Sequence, residues 1–359
     1  MRLLAAVLVS ATAFADPLAS TDVPARMKQF KTPGMSVAVI ADGRIVWERG
    51  YGVIEAGGSI SVNSDTLFQA ASISKPVAAS AALHMSQYGN FTLDEDVNGK
   101  LKSWRVPDNE WTTAKKVTLR GLLSHAAGLT VHGFPGYTSS APIPSLVEIL
   151  DGAKPANTAA IRVDIVPGSK WRYSGGGYEV AELLMTERFG KPFPVVMETI
   201  VLRRLGMKRS TFVQPLPEEL ARNAARAHNA GKMIDGRWHA YPEHAAAGLW
   251  TTPGDLARFM LEIAAAWAGK STRLIEQRTA REMLTRQSGS YGLGVALDGE
   301  GSAMRFGHSG GNAGFRCRMA LYPASGKGAV VMTNADEGDA LMNEILAALA
   351  KEAGWPEWR

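Results

Sequence analysis

The sequence predicts an α+β fold: one antiparallel sheet built from both termini and flanked by helices, with a mainly helical insertion between its halves. Three observations predict it. Apolar runs of period two occur near the N-terminus and again towards the C-terminus. Helical periodicities fill the middle. No repeat or low-complexity linker separates the regions.

Met35 to Ile40 reads as a strand, Asp42-Gly43 as a tight turn and Arg44 to Gly50 as the partner strand. Asp-Gly between apolar runs is a strong hairpin signal. Helical patterns follow over 76–88, 118–125, 177–189 and 252–268, joined by loops rich in Gly and Pro. Thr252-Pro253-Gly254-Asp255 opens the last of these with a Thr cap, Pro at the first position and an acid at the third. Gly269 is its stop. Strands are expected at 303–309, 314–322 and 328–334. A final helix starts near Asp339 and lines up Leu341, Met342, Ile345, Leu346 and Leu349. The corresponding division is a discontinuous sheet domain, 16–80 and 285–359, around a mainly helical domain, 81–284.

The 359 residues are 46% hydrophobic, which supports a sizeable core and excludes a disordered chain. The net charge is +5 with no run of Lys or Arg, so nucleic acid is not an expected partner. Residues 1–15 carry Arg2, an apolar run from Leu3 and Ala13-Phe14-Ala15 before Asp16. This is the pattern of a cleaved signal peptide, too short to span a bilayer. The expectation is an exported, periplasmic protein with no membrane span in its mature chain. Cys317 is the single cysteine, so no intrachain disulfide can form. It alternates with Arg316 and Arg318 on the apolar face of a strand, as a buried, inert thiol. The seven histidines show no ligand spacing and H-E-x-x-H is absent. No metal or cofactor is expected. The expected partner is a small-molecule or short-peptide substrate, and the oligomeric state is open.

Two serines compete for a catalytic role. Gly307-His308-Ser309-Gly310-Gly311 matches the G-x-S-x-G nucleophile elbow. That elbow requires an acid and then a histidine downstream, with a helix directly after the serine. His308 is the last histidine, and an alternating strand follows instead. Ser72-Ile73-Ser74-Lys75-Pro76 fits better. Proline is tolerated only in a helix's first turn, so the helix starts near Ser72. Residues three apart share a helix face, which brings the Lys75 amine to the Ser72 hydroxyl. The helix start offers N–H groups to a developing oxyanion, and a desolvated lysine can be neutral and take the serine proton. Alone, S-x-x-K is weak, with about one chance match in a chain this long. Tyr173, on the Gly-rich stretch Tyr173-Ser174-Gly175-Gly176-Gly177, adds a phenol that can shuttle protons beside a lysine.

The ordered set Ser72-Ile73-Ser74-Lys75, Tyr173-Ser174-Gly175 and His308-Ser309-Gly310 resembles the serine penicillin-recognising superfamily. That superfamily includes class C β-lactamases, D-alanyl-D-alanine carboxypeptidases and family VIII carboxylesterases. The segments Leu122-Leu123-Ser124-His125-Ala126-Ala127-Gly128-Leu129 and Gly248-Leu249-Trp250-Thr251-Thr252 extend the likeness, which runs from about residue 25 to the C-terminus. The resemblance implies a β-lactamase/transpeptidase-like fold and a hydrolase cleaving ester or amide bonds through a Ser72 acyl-enzyme, on β-lactam or D-alanyl peptide-like substrates. Lys75 and Tyr173 would move the proton and later activate water. The third motif would lie on an edge strand. The Ser72 and Gly311 N–H groups would form the oxyanion hole, with His308, Ser309, Gly310 and Gly175 on the substrate side. A carboxylesterase with little β-lactam turnover and a non-hydrolytic penicillin-binding sensor or scaffold are the alternatives.

Two departures from the superfamily stand out. Gly175 replaces the usual Asn and cannot offer an amide to a substrate's acylamino group. His308 replaces the usual Lys. A histidine is only partly charged near neutral pH, so carboxylate recognition would weaken unless Arg305 or Arg316 helps. Of the other histidines, His125 reads as architectural and His84 as packing. His228, His239 and His244 could line a cleft mouth.

Overall fold

A computed structural model describes residues 16–356 and Trp358; residues 1–15, where the sequence places a signal peptide, lie outside the described residues. Six strands form an antiparallel sheet in the order Arg44–Gly52, Gly34–Ala41, Lys327–Thr333, Phe315–Tyr322, Arg305–Asn312 and Ala296–Asp298. The two ends of the chain meet inside this sheet, where Val37 pairs with Val331. The Asp42-Gly43 turn has both residues at positive φ, 50° and 69°, which matches the twist of a two-residue hairpin.

Alternation assigns each strand residue to a face. Met35, Val37, Val39, Ala329 and Val331 pack under the terminal helices Val23–Gln29 and Gly338–Glu352, against Val23, Met27, Leu341, Ile345 and Leu349. Ala38, Ile40, Val330 and Met332 face a larger core shared with the helices Ser74–Gln87 and Pro253–Trp267. The sequence pattern does not single out the first helix, although Asp22 caps it by accepting from the Ala25 N–H. The four central helical patterns correspond to Ser74–Gln87, Leu119–Leu123, Gly175–Phe189 and Pro253–Trp267. Thr252 caps the last by accepting from the Asp255 N–H.

Two sequence expectations need correction. The strand expected over 303–309 runs from Arg305 to Asn312, so Gly310 and Gly311 belong to the strand and not to a turn. Its continuous pairing with the strand Phe315–Tyr322 keeps those glycines extended: Gly310 pairs with Cys317 and Gly311 with Arg316. Nor is this strand the outermost one along its whole length. Ala296–Asp298, too short to show a period, covers Arg305–Gly307 and leaves His308–Asn312 open. That open stretch borders the turn carrying Ser72.

Candidate active site

Ser72 lies in a tight turn, Ala71–Ile73, between the strand Phe68–Gln69 and the helix Ser74–Gln87. Ala71 has φ 47°, a left-handed conformation that residues with a Cβ seldom adopt. The surroundings hold it there. Ala70 N–H donates to the Leu249 carbonyl at 2.8 Å, and Ser74 Oγ donates to the Ala71 carbonyl at 2.6 Å. From below, Cys317 Sγ donates to the Ala70 carbonyl at 2.9 Å. Burial pushes that thiol above its ordinary range, which leaves it an inert packing group.

The open strand passes close to this turn because position 310 has no side chain. A Cβ there would stand 2.4 Å from the Ala70 carbonyl oxygen, 2.6 Å from Cys317 Sγ and 3.0 Å from the Ser72 nitrogen. Asn312 ties the same strand down by donating to Gln69 Oε1 at 2.8 Å.

Lys75 follows Ser72 by three residues and is buried. Its Nζ is 3.0 Å from Ser72 Oγ and donates to the Ala246 carbonyl at 2.8 Å. The amine also sits 5.0 Å from the centre of the Tyr173 ring and 5.7 Å from that of Tyr178. Tyr173 immediately precedes the helix Gly175–Phe189, whose cap Ser174 accepts from the Gly177 N–H at 3.0 Å. Its ring lies against His125, with centroids 4.1 Å apart. His125 accepts from the Ser174 N–H through Nδ1 at 3.1 Å, so it braces the Tyr173 segment. Burial, and then the Lys75 charge, hold His125 well below the ordinary histidine range.

His308 is also buried. Its Nδ1 is 2.5 Å from the Ser309 carbonyl oxygen and its Nε2 is 2.8 Å from the Tyr291 hydroxyl. A carbonyl only accepts, so the neutral ring carries its proton on Nδ1 and Tyr291 donates to Nε2. Burial and the nearby Lys75 push the His308 pKa down to about 3. The partial positive charge expected of this histidine near neutral pH is therefore absent. Neither arginine replaces it. Arg316 is engaged by Asp336 at 2.9 Å and Asp339 at 3.3 Å. Arg305 bonds the Tyr322 hydroxyl at 3.0 Å and pairs with Asp298.

A cleft of about 520 Å³ opens over these groups. Ser72, Lys75, Tyr173, His308, Ser309, Gly310 and Gly311 line it. Gly175 does not. It is buried at the start of its helix, and a Cβ on it would stand 2.9 Å from the Phe134 ring. Phe134 forms the wall in its place, beside His132 and Trp171. Sequence reasoning missed these three; their only signal is their aromatic character in loops flanking the helix. The histidines expected at the mouth are engaged elsewhere. His228 accepts from the Ala56 N–H at 3.0 Å, His239 faces the Pro135 carbonyl at 3.0 Å, and His244 faces Glu182 at 2.9 Å. His84 packs with Nδ1 2.6 Å from the Leu274 carbonyl oxygen.

Chemically, the arrangement can deprotonate a serine. A neutral Lys75 amine within hydrogen-bond reach can accept the Ser72 proton as the hydroxyl attacks a carbonyl. Among the described residues no cluster of ligating side chains could hold a metal ion, and no helix is long and apolar enough to cross a membrane.

The buried groups set a pH optimum for stability. His84, His125, His228 and His308 are held below 6.5 chiefly by burial, so the unfolded chain binds their protons more readily. Their contribution is full above that value and is lost as pH falls. Glu179 and Glu243 behave oppositely. Burial raises Glu179 well above 4.5 and Glu243 to about 8, so their contribution is full at low pH and is lost as pH rises towards 8. Thermal melts should show maximum stability near pH ~6.5, with Tm lower by roughly 10 °C at pH ~4. His308→Gln should make the acid side shallower. A Tm that keeps rising down to pH ~4 would contradict the assignment.

Comparison with known proteins places the chain in a family. A model of the family described as Beta-lactamase matches residues 20–352. Penicillin-binding protein 4 of Amycolatopsis lactamdurans is 24% identical over 338 residues, covering 89% of this chain and 85% of that protein. Esterase EstB of Burkholderia gladioli is 28% identical over 193 residues, covering 52% of this chain and 49% of its own length. Among solved structures, the octameric penicillin-binding protein homologue from Pyrococcus abyssi superposes with a TM-score of 0.76 at 22% identity, covering 93% of this chain and 76% of that one.

Proposed function

Because this chain belongs to the β-lactamase family and is a serine hydrolase, we propose that Ser72 is its nucleophile and that it cleaves small uncharged esters and amides through an acyl-enzyme. One observation carries this: the Lys75 amine, held by the Ala246 carbonyl, lies 3.0 Å from Ser72 Oγ.

Lys75 in its neutral form takes the Ser72 proton as Oγ bonds to the substrate carbonyl carbon. The carbonyl π pair moves onto oxygen, and the N–H groups of Ser72 and Gly311 receive that charge. Collapse of the tetrahedral intermediate breaks the bond to the leaving group, which departs with the proton relayed by Lys75 and Tyr173. Water then attacks the acyl carbon, giving up a proton along the same route, and Ser72 Oγ leaves as the restored hydroxyl. His308, Ser309 and Gly310 contact the leaving side.

The walls support the choice of substrate. His132, Phe134 and Trp171 suit an apolar or aromatic acyl group. A substrate carboxylate meets a neutral His308 and an Arg316 already engaged by two aspartates. The carboxylesterase reading therefore ranks above β-lactam or D-alanyl peptide turnover, both of which present a carboxylate. Export by a signal peptide to a periplasmic setting belongs to the same reading.

Intact-mass analysis over time with a p-nitrophenyl ester, a penicillin and a D-alanyl-D-alanine peptide tests it. The ester should give a transient adduct on Ser72, formed at least about tenfold faster than either anionic ligand's. An adduct that persists with every ligand would support a sensor. Ester turnover with no adduct on Ser72 would overturn the mechanism.

A further inference from the structure

Behind Lys75, away from the cleft, lie three buried carboxyl groups that the chemistry at Ser72 leaves unassigned: Glu179, Glu182 and Glu243, exposed by 0%, 2% and 0%. Burying a carboxyl group is costly, so three together need a reason. Glu179 and Glu182 are three apart on the helix Gly175–Phe189 and share a face. That face meets the short segment His244–Ala247. Glu182 accepts from the Ala245 N–H at 2.7 Å and faces His244 Nδ1 at 2.9 Å. Glu179 Oε1 accepts from the Ala246 N–H at 3.2 Å, while its Oε2 has no partner among the described residues. The carbonyl of that same Ala246 accepts from Lys75 Nζ.

We propose that Glu179 and Glu182 are positioning residues for Lys75: by accepting from the Ala246 and Ala245 N–H groups they fix the Ala246 carbonyl that aims the amine at Ser72. The inference rests on the reading of Ser72 as nucleophile and Lys75 as base. A neutral amine has two N–H groups and one lone pair. With Ala246 taking one N–H, the lone pair can point at Ser72 Oγ. If the carbonyl shifts, the lone pair turns away.

Lys75 faces Glu179 from behind, the Tyr173 and Tyr178 rings from the side, and His125 and His308, both kept neutral by burial. Glu243 faces Glu182, Tyr137 and Tyr241, and Glu182 faces His244. Burial, then mutual repulsion, raises Glu179, and burial with the Glu182 charge raises Glu243 to about 8.

The test follows the nitrophenol burst and steady-state turnover of p-nitrophenyl acetate on the full chain. Glu179→Ala removes the acceptor for the Ala246 N–H, whereas Glu179→Gln keeps it. Glu182→Ala and Glu179→Ala should each lower kcat about tenfold with KM within about twofold, and Glu182→Gln and Glu179→Gln should recover most of the loss. A native kcat in either alanine variant, or no recovery in the glutamine variants, would overturn the inference. If Glu182→Ala does not fold, the Glu179→Ala and Glu179→Gln pair decides alone. Failure of the underlying reading is distinct: the native burst would leave no adduct on Ser72.

Discussion

Ser72→Ala should lower kcat/KM on a nitrophenyl ester by about 10⁴-fold, while Ser309→Ala should cost less than about tenfold. The first change removes the hydroxyl that lies 3.0 Å from the Lys75 amine, and with it the covalent route. The turn should survive, because Ala70, Ser74 and Cys317 hold it through backbone atoms and not through Ser72 Oγ. Tm should therefore change by no more than a few degrees, about 1 kcal/mol in a chain of this size. Ser309 stands on the strand Arg305–Asn312 in register with Arg318, and its side chain is exposed. A strand cannot present the strained elbow that a G-x-S-x-G nucleophile needs. Steady-state kinetics and intact mass on both variants check this. Native-like activity in Ser72→Ala, or loss confined to Ser309→Ala, would transfer the nucleophile to the strand.

Gly310→Ala should lower kcat about 100-fold and reduce stability by about 1–3 kcal/mol. The added methyl group would collide with the Ala70 carbonyl oxygen at 2.4 Å and crowd the Ser72 nitrogen at 3.0 Å. Both are backbone atoms, so no change of rotamer relieves the contact. The third neighbour, Cys317 Sγ at 2.6 Å, could be trimmed. Cys317→Ala combined with Gly310→Ala should still recover little activity, because the carbonyl remains. The strand must instead move away from the Ser72 turn, which widens the space between Ser72 and Gly311 where an oxyanion would sit. Displacement of about 1 Å at a reacting centre is enough for a loss of this size. Thermal melts with burst kinetics separate the two effects. A variant of lower Tm but native burst rate would mean that the close approach serves stability alone.

Local signals made much of this protein legible. Ser72 and Lys75 are three residues apart, so one helical turn suffices to bring them together. The Asp42-Gly43 turn, the Thr252 cap and the alternation around Cys317 are likewise written in neighbouring residues. Period-two patterns at both ends and helical patterns between them were enough for the α+β class. The extent of the strand Arg305–Asn312 was less legible, because its glycines read as turn residues when their partners across the sheet are unknown.

The sequence by itself thus determined the chemistry on offer: a serine and a lysine at the start of a helix, a tyrosine before another, and a third segment to lie beside them. Only the tertiary structure decided how those groups are charged and what surrounds them. His308 is neutral because Tyr291 and the cleft walls bury it beside Lys75. Phe134 covers Gly175, and Asp336 and Asp339 occupy Arg316. Glu179 reaches Ala246 across 67 positions of sequence. The physical reason is the same in each case. Charge state depends on desolvation and on neighbours a few ångströms away, and long-range packing, not chain order, chooses those neighbours.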